Sequence, residues 1–216
     1  VNGQAATFVY VDSTKGWVNV QNAEDTETGA PPFIVATGGT ITTSGNDKIH
    51  TFTGPGTFTV CAIAACAACN QVSYLVVAGG GAGGNGGCGD NGAGGGAGGF
   101  REDKSPTTPY TASPLEGAGA ITVTATTFPI VVGAGGAVTP KQGGAGNVST
   151  FSTITSAGGG GGAANATAPG YCSPANGEGG SGGGGRGGGS ATPTPLIVGN
   201  TPPTSPPQGN PGGVGG

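Results

Sequence analysis

The sequence predicts an all-β N-terminal region of hairpins that passes into a sandwich of polyproline-II-like helices made of glycine, with little or no α-helix. Three observations carry this. Glycine supplies 52 of 216 residues and only 7% are charged, against about 7% glycine and about 25% charged residues in an ordinary soluble domain. The glycines are unevenly placed, with 8 in residues 1–77 and 44 in residues 78–216. Short apolar segments run directly into the glycine tracts: Tyr74–Ala78 into Gly79–Gly87, Pro129–Val132 into Gly133–Gly136, and Thr153–Ala157 into Gly158–Gly162, with Pro195–Val198 into Gly199 a weaker fourth copy. Their irregular spacing excludes a fixed-period solenoid, and no Gly-X-Y period marks a collagen helix.

Taken in order, residues 7–12 (Thr-Phe-Val-Tyr-Val-Asp) and 17–21 (Trp-Val-Asn-Val-Gln) are β-rich and flank Ser13-Thr14-Lys15-Gly16, which predicts a hairpin. An acidic loop follows, and Phe33–Ala36 after Pro31-Pro32 reads as a short strand. Lys48–Thr53 and Thr57–Val60 flank Gly54-Pro55-Gly56. Proline fixes φ at the second turn position and glycine supplies positive φ at the third, so a second hairpin is expected there. Ser73–Ala78 closes the β-rich part.

Glycine adds no side chain to a core and loses the most backbone entropy on folding. The tracts are therefore either flexible coil or a lattice in which bare backbones approach closely enough to pair. A polyproline-II helix has no internal hydrogen bonds, so its N–H and C=O groups all point outward. The apolar segment before each tract, and the Ala, Asn and Ser within them, favour the lattice. Two Pro-punctuated stretches interrupt it as expected loops, Phe100–Glu116 and Ala163–Glu178; Arg101-Glu102-Asp103-Lys104 reads as a self-neutralising loop tip. Asn200–Gly216 reads as extended or linker-like. The chain then divides into 1–37, an N-terminal β region or the end of a preceding domain; 38–78, hairpins; 79–199, the glycine domain; and 200–216, a C-terminal extension.

Charge and motifs exclude several function classes. The net charge is −4 and the six Lys and Arg are scattered, whereas phosphate-driven nucleic-acid binding needs convergent cations. No apolar run approaches the ~20 residues of a membrane span. The opening Val-Asn-Gly-Gln and closing Gly-Gly-Val-Gly-Gly suggest a segment of a longer or processed polypeptide. Gly81, Gly83 and Gly86 match a dinucleotide-binding pattern, with Glu102 and Asp103 at the distance of a ribose-binding acid. Phosphate capture there needs a helix N-terminus, and only more glycine follows. His50 is the sole histidine and alternates as a strand-face residue, so no Ser-His-Asp set and no zinc catalysis are expected. Glu24, Asp25 and Glu27 lack calcium-loop spacing. Asn147-Val148-Ser149 and Asn165-Ala166-Thr167 match the glycosylation pattern, which has meaning only on a eukaryotic secretory route. Cys61, Cys66, Cys69, Cys88 and Cys172 are odd in number. Metal ligands, one local disulfide and small buried thiols remain as readings of the C-x4-C-x2-C run, which sits among alanines with no nearby histidine. No catalytic residue, cofactor or metal is expected.

Ile49-His50-Thr51-Phe52-Thr53-Gly54-Pro55-Gly56-Thr57-Phe58-Thr59-Val60, Ser73–Gly81, Gly94–Arg101, Val131–Gly136, Gly144–Phe151, Thr155–Gly162 and Asn200–Gln208 together resemble glycine-rich domains of phage tail-fibre proteins, common in marine and cyanobacterial phages. The glycine motifs are also similar in style to tail-fibre-tip adhesins of T-even-type phages, in which polyglycine-II helices pack as a sandwich and the loops between them bind host receptors. The resemblance covers Gly38 to the end and is weaker over residues 1–37. It implies a non-enzymatic virion component for host attachment. The partners would be other fibre subunits, as a homotrimer, and a host cell-surface glycan or protein, with neither nucleic acid nor membrane insertion. The two loops become receptor-contacting candidates, with Phe100, Arg101, Glu102, Asp103, Lys104, Tyr110 and Tyr171 as their residues. The rival readings are a capsid-decorating fibre or other virion protein without a receptor, a bacterial glycine-rich cell-surface protein, and formally a dinucleotide enzyme.

Overall fold

The structure, a computed structural model, describes residues 8–13, 16–19, 31–85, 92–104, 111–117, 119–139, 142–164, 177–185 and 197–215. It is all-β, with antiparallel sheets and a single 3-10 turn in place of any α-helix among the described elements. β1 (Phe8–Asp12) and β2 (Gly16–Asn19) form the expected N-terminal hairpin, Val9 opposite Val18 and Tyr10 opposite Trp17.

A five-stranded sheet organises the core. Its strands are β3 (Val35–Thr37), β6 (Gly56–Ala62), β11 (Thr127–Val131), β12 (Ser149–Phe151) and β13 (Ile154–Ser156), in the order β13-β12-β11-β6-β3. Alternation along β6 turns Phe58 and Val60 inward, where they meet Ala36 and Val123 with Phe52, Phe128, Ile130 and Phe151 around them. Phe58 and Phe151 meet edge to face at 5.9 Å, and Phe128 closes the triad 6.0 Å from Phe151, the offset geometry that aromatic quadrupoles favour.

The Gly54-Pro55-Gly56 hairpin is not formed. β5 (Asp47–Thr51) pairs with β4 (Thr40–Ser44) instead, and β6 pairs with β11 and β3. The reason is a tighter turn nearby: Ser44 pairs with Asp47 across Gly45-Asn46. Gly45 has φ 58° while Asn46 is not in the left-handed region, the pattern of a type II′ loop whose twist suits a hairpin. The Gly-Pro-Gly segment carries the chain from this ribbon into the main sheet. His50 sits on the strand as expected and ties the ribbon down: its Nδ1 donates to the Gly38 carbonyl at 2.8 Å and its ring meets Phe58 edge-on at 5.0 Å.

Beyond the sheet, the glycine tracts form a lattice. Among the described residues seven segments run through it: helices I (78–85), II (92–99), III (132–139), IV (142–148), V (157–164), VI (177–185) and VII (208–215). Ala78, Gly81 and Gly84 of helix I donate to the carbonyls of Gly99, Gly96 and Ala93 of helix II at 3.0, 2.9 and 2.8 Å. Ala93, Gly96 and Gly99 in turn donate to Ala163, Gly160 and Ala157 of helix V. Gly143 and Gly146 of helix IV reach Gly162 and Gly159, and Gly182 and Gly185 of helix VI reach Asn210 and Gly213 of helix VII. Each ladder advances three residues per bond, the repeat of a three-residue-per-turn polyproline-II helix. Among the described residues the positive-φ glycines are Gly38, Gly39, Gly45 and Gly119, all outside these segments, as a left-handed polyproline-II backbone requires. The tracts are thus the packed lattice and not coil.

Helix V is the hub. It donates to helices I and VI, through Gly159 and Gly162 to Gly79 and Ala82 and through Gly160 and Ala163 to Ser181 and Gly184. It accepts from helices II and IV, and residues 156–164 are all buried. Serines join lattice to sheet: Ser156 Oγ donates to the Val76 carbonyl at 2.8 Å, and Ser149 Oγ accepts from Gly133 N–H at 2.9 Å. The C-terminal stretch read as linker-like is part of this packing, because helix VII lies along helix VI and residues 200–208 close over the end of the lattice through Asn200 and Gln208.

Candidate functional site

Of the residues assigned to a recognition loop, Phe100–Asp103 form a strand, β9, antiparallel to β8 (Tyr74–Val77), with Tyr74 opposite Asp103 and Val77 opposite Phe100. This corrects the reading of Arg101–Lys104 as a loop tip. Glu102 and Asp103 are 5% and 6% exposed. The burial follows from residues 111–117 folding over the strand. Glu102 Oε2 accepts from Ser113 N–H at 2.9 Å, its backbone carbonyl accepts from Gly117 N–H at 2.6 Å, and Glu116 Oε1 accepts from Lys104 N–H at 3.2 Å. The Glu102 carboxylate is thus turned inward, while Glu116 stays exposed. Phe100, Arg101 and Lys104 are half-buried beside them, and Tyr110 and Tyr171 lie outside the described residues.

The enclosed carboxylates shape one another. Burial pushes the Asp103 carboxyl above its usual range, and the negative charges of Glu116 and Glu102 add to this, while a hydrogen bond from the Gly119 backbone works the other way. Burial and the charge of Asp103 likewise push the Tyr74 hydroxyl up. A carboxyl raised by folding contributes its stability when protonated: the contribution is complete below the ordinary carboxylate range and is lost as pH rises through the elevated folded value. Asp103→Asn is therefore expected to raise the melting temperature at pH 7 by about a degree or two and to weaken the stabilisation that wild type gains on acidification. Melting curves of both proteins between pH 3 and 7 check this; an Asn variant less stable than wild type at neutral pH would contradict the sign.

The remaining sequence candidates are placed as follows. The Gly81 N–H of the dinucleotide-like pattern is committed to the Gly96 carbonyl at 2.9 Å, so that backbone forms a lattice rung and no phosphate cradle; Gly86 lies outside the described residues. Cys61, Cys66 and Cys69 carry free, exposed thiols, which corrects the expectation of small buried ones. Cys61 lies on the outward face of β6 by the strand's alternation, and Cys66 and Cys69 lie at the surface in the alanine-rich loop between β6 and β7 (Gln71–Val72). Among the described residues no group of three His, Cys, Asp or Glu side chains could hold a metal. Cys88, Cys172, the acidic residues 24–27 and Asn165 fall outside the described residues.

The lattice itself creates a distinct surface, one that sequence reasoning missed. The parallel and antiparallel ladders put Gly84 beside Ala93, Ala82 beside Gly162, Ala163 beside Gly184, Gly143 beside Gly162 and Gly144 beside Ala137. Helices I, III, V and VI therefore end, at Asn85, Thr139, Ala164 and Gly185, on one level where helices II and IV begin. The opposite level carries Ala78, Gly99, Ala134, Asn147 and Ala157, next to the sheet. At the free level Thr139 Oγ1 donates to the Gln142 carbonyl, closing the step from helix III to helix IV. Helix VII, parallel to helix VI, ends at this level as well, so five helix ends held by backbone rungs lie together at one end of the lattice. The signal in the sequence was the glycine tracts that lead up to 86–91, 140–141, 165–176 and 186–196; what it lacked was the helix directions.

These features define a class: all-β proteins whose second layer is a lattice of glycine helices. The model of the glycine-rich domain family matches residues 51–216, and the chain belongs to that family. Neither curated proteins nor solved structures gave a match.

Proposed function

We propose that the chain is a non-catalytic recognition module of a phage tail fibre, which attaches the virion to its host through loops displayed at the free end of the glycine lattice. The observation that carries this reading is the common level at which helices I, III, V and VI end. A platform fixed by backbone rungs does not draw on side chains for its own cohesion, which suits a scaffold that carries variable sequence. Preorganisation of this kind reduces the ordering cost of binding. The segment after helix V contains Tyr171 and takes over the receptor-contacting role from the buried carboxylates of β9. In a homotrimeric fibre, several copies would add avidity to individually weak contacts with a surface glycan or protein.

The test is binding of the fluorescently labelled chain to a panel of marine bacterial and cyanobacterial cells. Replacing residues 86–91 and 165–176 by Gly-Ser links of equal length is expected to abolish saturable binding while the melting temperature stays within a few degrees of wild type. A loop-replaced chain that binds as wild type does would place the adhesive surface elsewhere.

A further inference from the structure

Cys66 and Cys69 stand at the two ends of a single 3-10 turn, η1 (Ala67–Cys69), in which Cys69 N–H donates to the Cys66 carbonyl at 2.9 Å. Such an i to i+3 turn brings its end Cα atoms within ~7 Å, and a disulfide needs roughly 4.4–6.8 Å. The loop holding the turn is fixed on both sides. Asn70, buried, accepts from Ala64 N–H at 2.7 Å, donates to the Ala64 carbonyl at 3.1 Å, and receives Val123 N–H on its own carbonyl at 2.8 Å. Ala65 N–H donates to the Pro31 carbonyl at 3.0 Å. Both thiols are exposed and hydrogen-bonded to each other. The groups that act on Cys66 and Cys69 are each other, the backbone of the turn and burial, with no charged residue among them.

We propose that Cys66 and Cys69 form a dithiol site that closes to an intraturn disulfide by exchange with a small-molecule disulfide such as oxidised glutathione. The Cys66 thiolate attacks one sulfur of the glutathione disulfide, forming a mixed disulfide and releasing one glutathione thiolate. Cys69 then attacks the Cys66 sulfur, its proton passing to the departing thiolate, and expels the second glutathione. Two protein thiols are oxidised to one disulfide and one glutathione disulfide is reduced to two thiols. The order of attack follows from the hydrogen bond: the Cys69 thiol donates to the Cys66 sulfur and holds Cys66 below its usual range, while the same contact holds Cys69 above it. Cys61, also exposed, directs its thiol to the Thr59 carbonyl and serves as the internal comparator. This site is independent of the attachment reading.

The experiment equilibrates the reduced full chain with oxidised glutathione, quenches in acid, alkylates the remaining thiols and maps the tryptic peptide 49–101, which carries Cys61, Cys66, Cys69 and Cys88. The expected product lacks the mass of two hydrogens across Cys66–Cys69, with neither residue alkylated or glutathionylated. Cys69→Ser is expected to trap a stable glutathione adduct on Cys66 that wild type does not accumulate. Persistent glutathione on Cys66 in wild type, a bridge from either residue to Cys61 or Cys88, or full alkylation of Cys66 and Cys69 in excess oxidised glutathione would each overturn the proposal.

Discussion

Replacing Gly159 by alanine is expected to collapse the glycine lattice, lowering the melting temperature by about 10 °C or more. Gly159 lies in the middle of helix V. Its N–H donates to the Gly79 carbonyl at 2.9 Å and its own carbonyl accepts from Gly146 N–H at 2.8 Å. A Cβ built on it would fall within bonding range of the Gly96 carbonyl oxygen and against the Ala97 backbone. These are main-chain atoms of helix II, fixed in turn by the Gly96–Gly160 and Gly99–Ala157 rungs, so there is no side chain to rotate away. Accommodating one methyl group means separating helices I, II, IV and V and losing several rungs. The loss is about 4 kcal/mol or more, in the range reserved for a disrupted core. Gly94→Ala is the control. It also lies in the lattice, but an added Cβ there has no atom within 4 Å and its φ is not positive. Alanine at such a position restricts the unfolded chain and adds about 0.4–1 kcal/mol of stability. Calorimetric melting of the two variants decides the matter. If they melt within a few degrees of each other, the helices are not in the contact that the hydrogen-bond ladders require.

The contrast between Gly159 and Gly94 also explains what the sequence did and did not disclose. That glycine tracts pack was legible, because apolar strands such as Tyr74–Val77 and Ile154–Ser156 precede them and a bare backbone with outward donors needs partners. Which glycine is indispensable was not, since that depends on whether a given third of the helix faces another backbone or solvent. Pairing across long separations was equally hidden. The Arg101-Glu102-Asp103-Lys104 run has the composition of a solvated tip, yet it pairs with residues far upstream and is covered by residues 111–117. Gly54-Pro55-Gly56 was read as a hairpin turn, whereas it carries the chain from one sheet to another. The two-residue Gly45-Asn46 loop closes β4 on β5 first, and β6 then finds β11 more than sixty residues downstream. The exposed Cys66 and Cys69 thiols were misjudged for a related reason: alanine neighbours suggest an interior, but the loop that Asn70 pins carries them at the surface.

The second large effect belongs to Gln208, whose side chain is 1% exposed in a stretch that composition alone describes as a linker. Its Oε1 accepts from Ala157 N–H at 2.7 Å, at the start of the hub helix, and its Nε2 donates to the Pro202 carbonyl at 2.8 Å. Its backbone carbonyl accepts from Phe100 N–H at 2.9 Å, and its N–H donates to Asn200 Oδ1 at 3.1 Å. One residue thus joins helix V, β9 and the 200–208 loop. Gln208→Leu keeps the volume but leaves the buried Ala157 N–H without a partner, at about 1–3 kcal/mol, and removes the bond to the carbonyl of Pro202, an exposed residue. A total near 3 kcal/mol corresponds to a fall of roughly 6–12 °C in melting temperature, together with faster proteolysis of residues 197–215. Gln208→Glu separates the two bonds. An ionised glutamate still accepts from Ala157 but has no proton for Pro202 and adds a buried charge. Folding therefore raises its pKa, and the stability it contributes when protonated is lost as pH rises. Gln208→Glu should accordingly be destabilised at pH 7 and recover towards wild type near pH 4, whereas Gln208→Leu should remain equally destabilised relative to wild type at both. A glutamate variant with the pH profile of the leucine variant would mean that folding does not raise the glutamate's pKa, and that the side chain is not enclosed between Ala157 and Pro202 as its two bonds require.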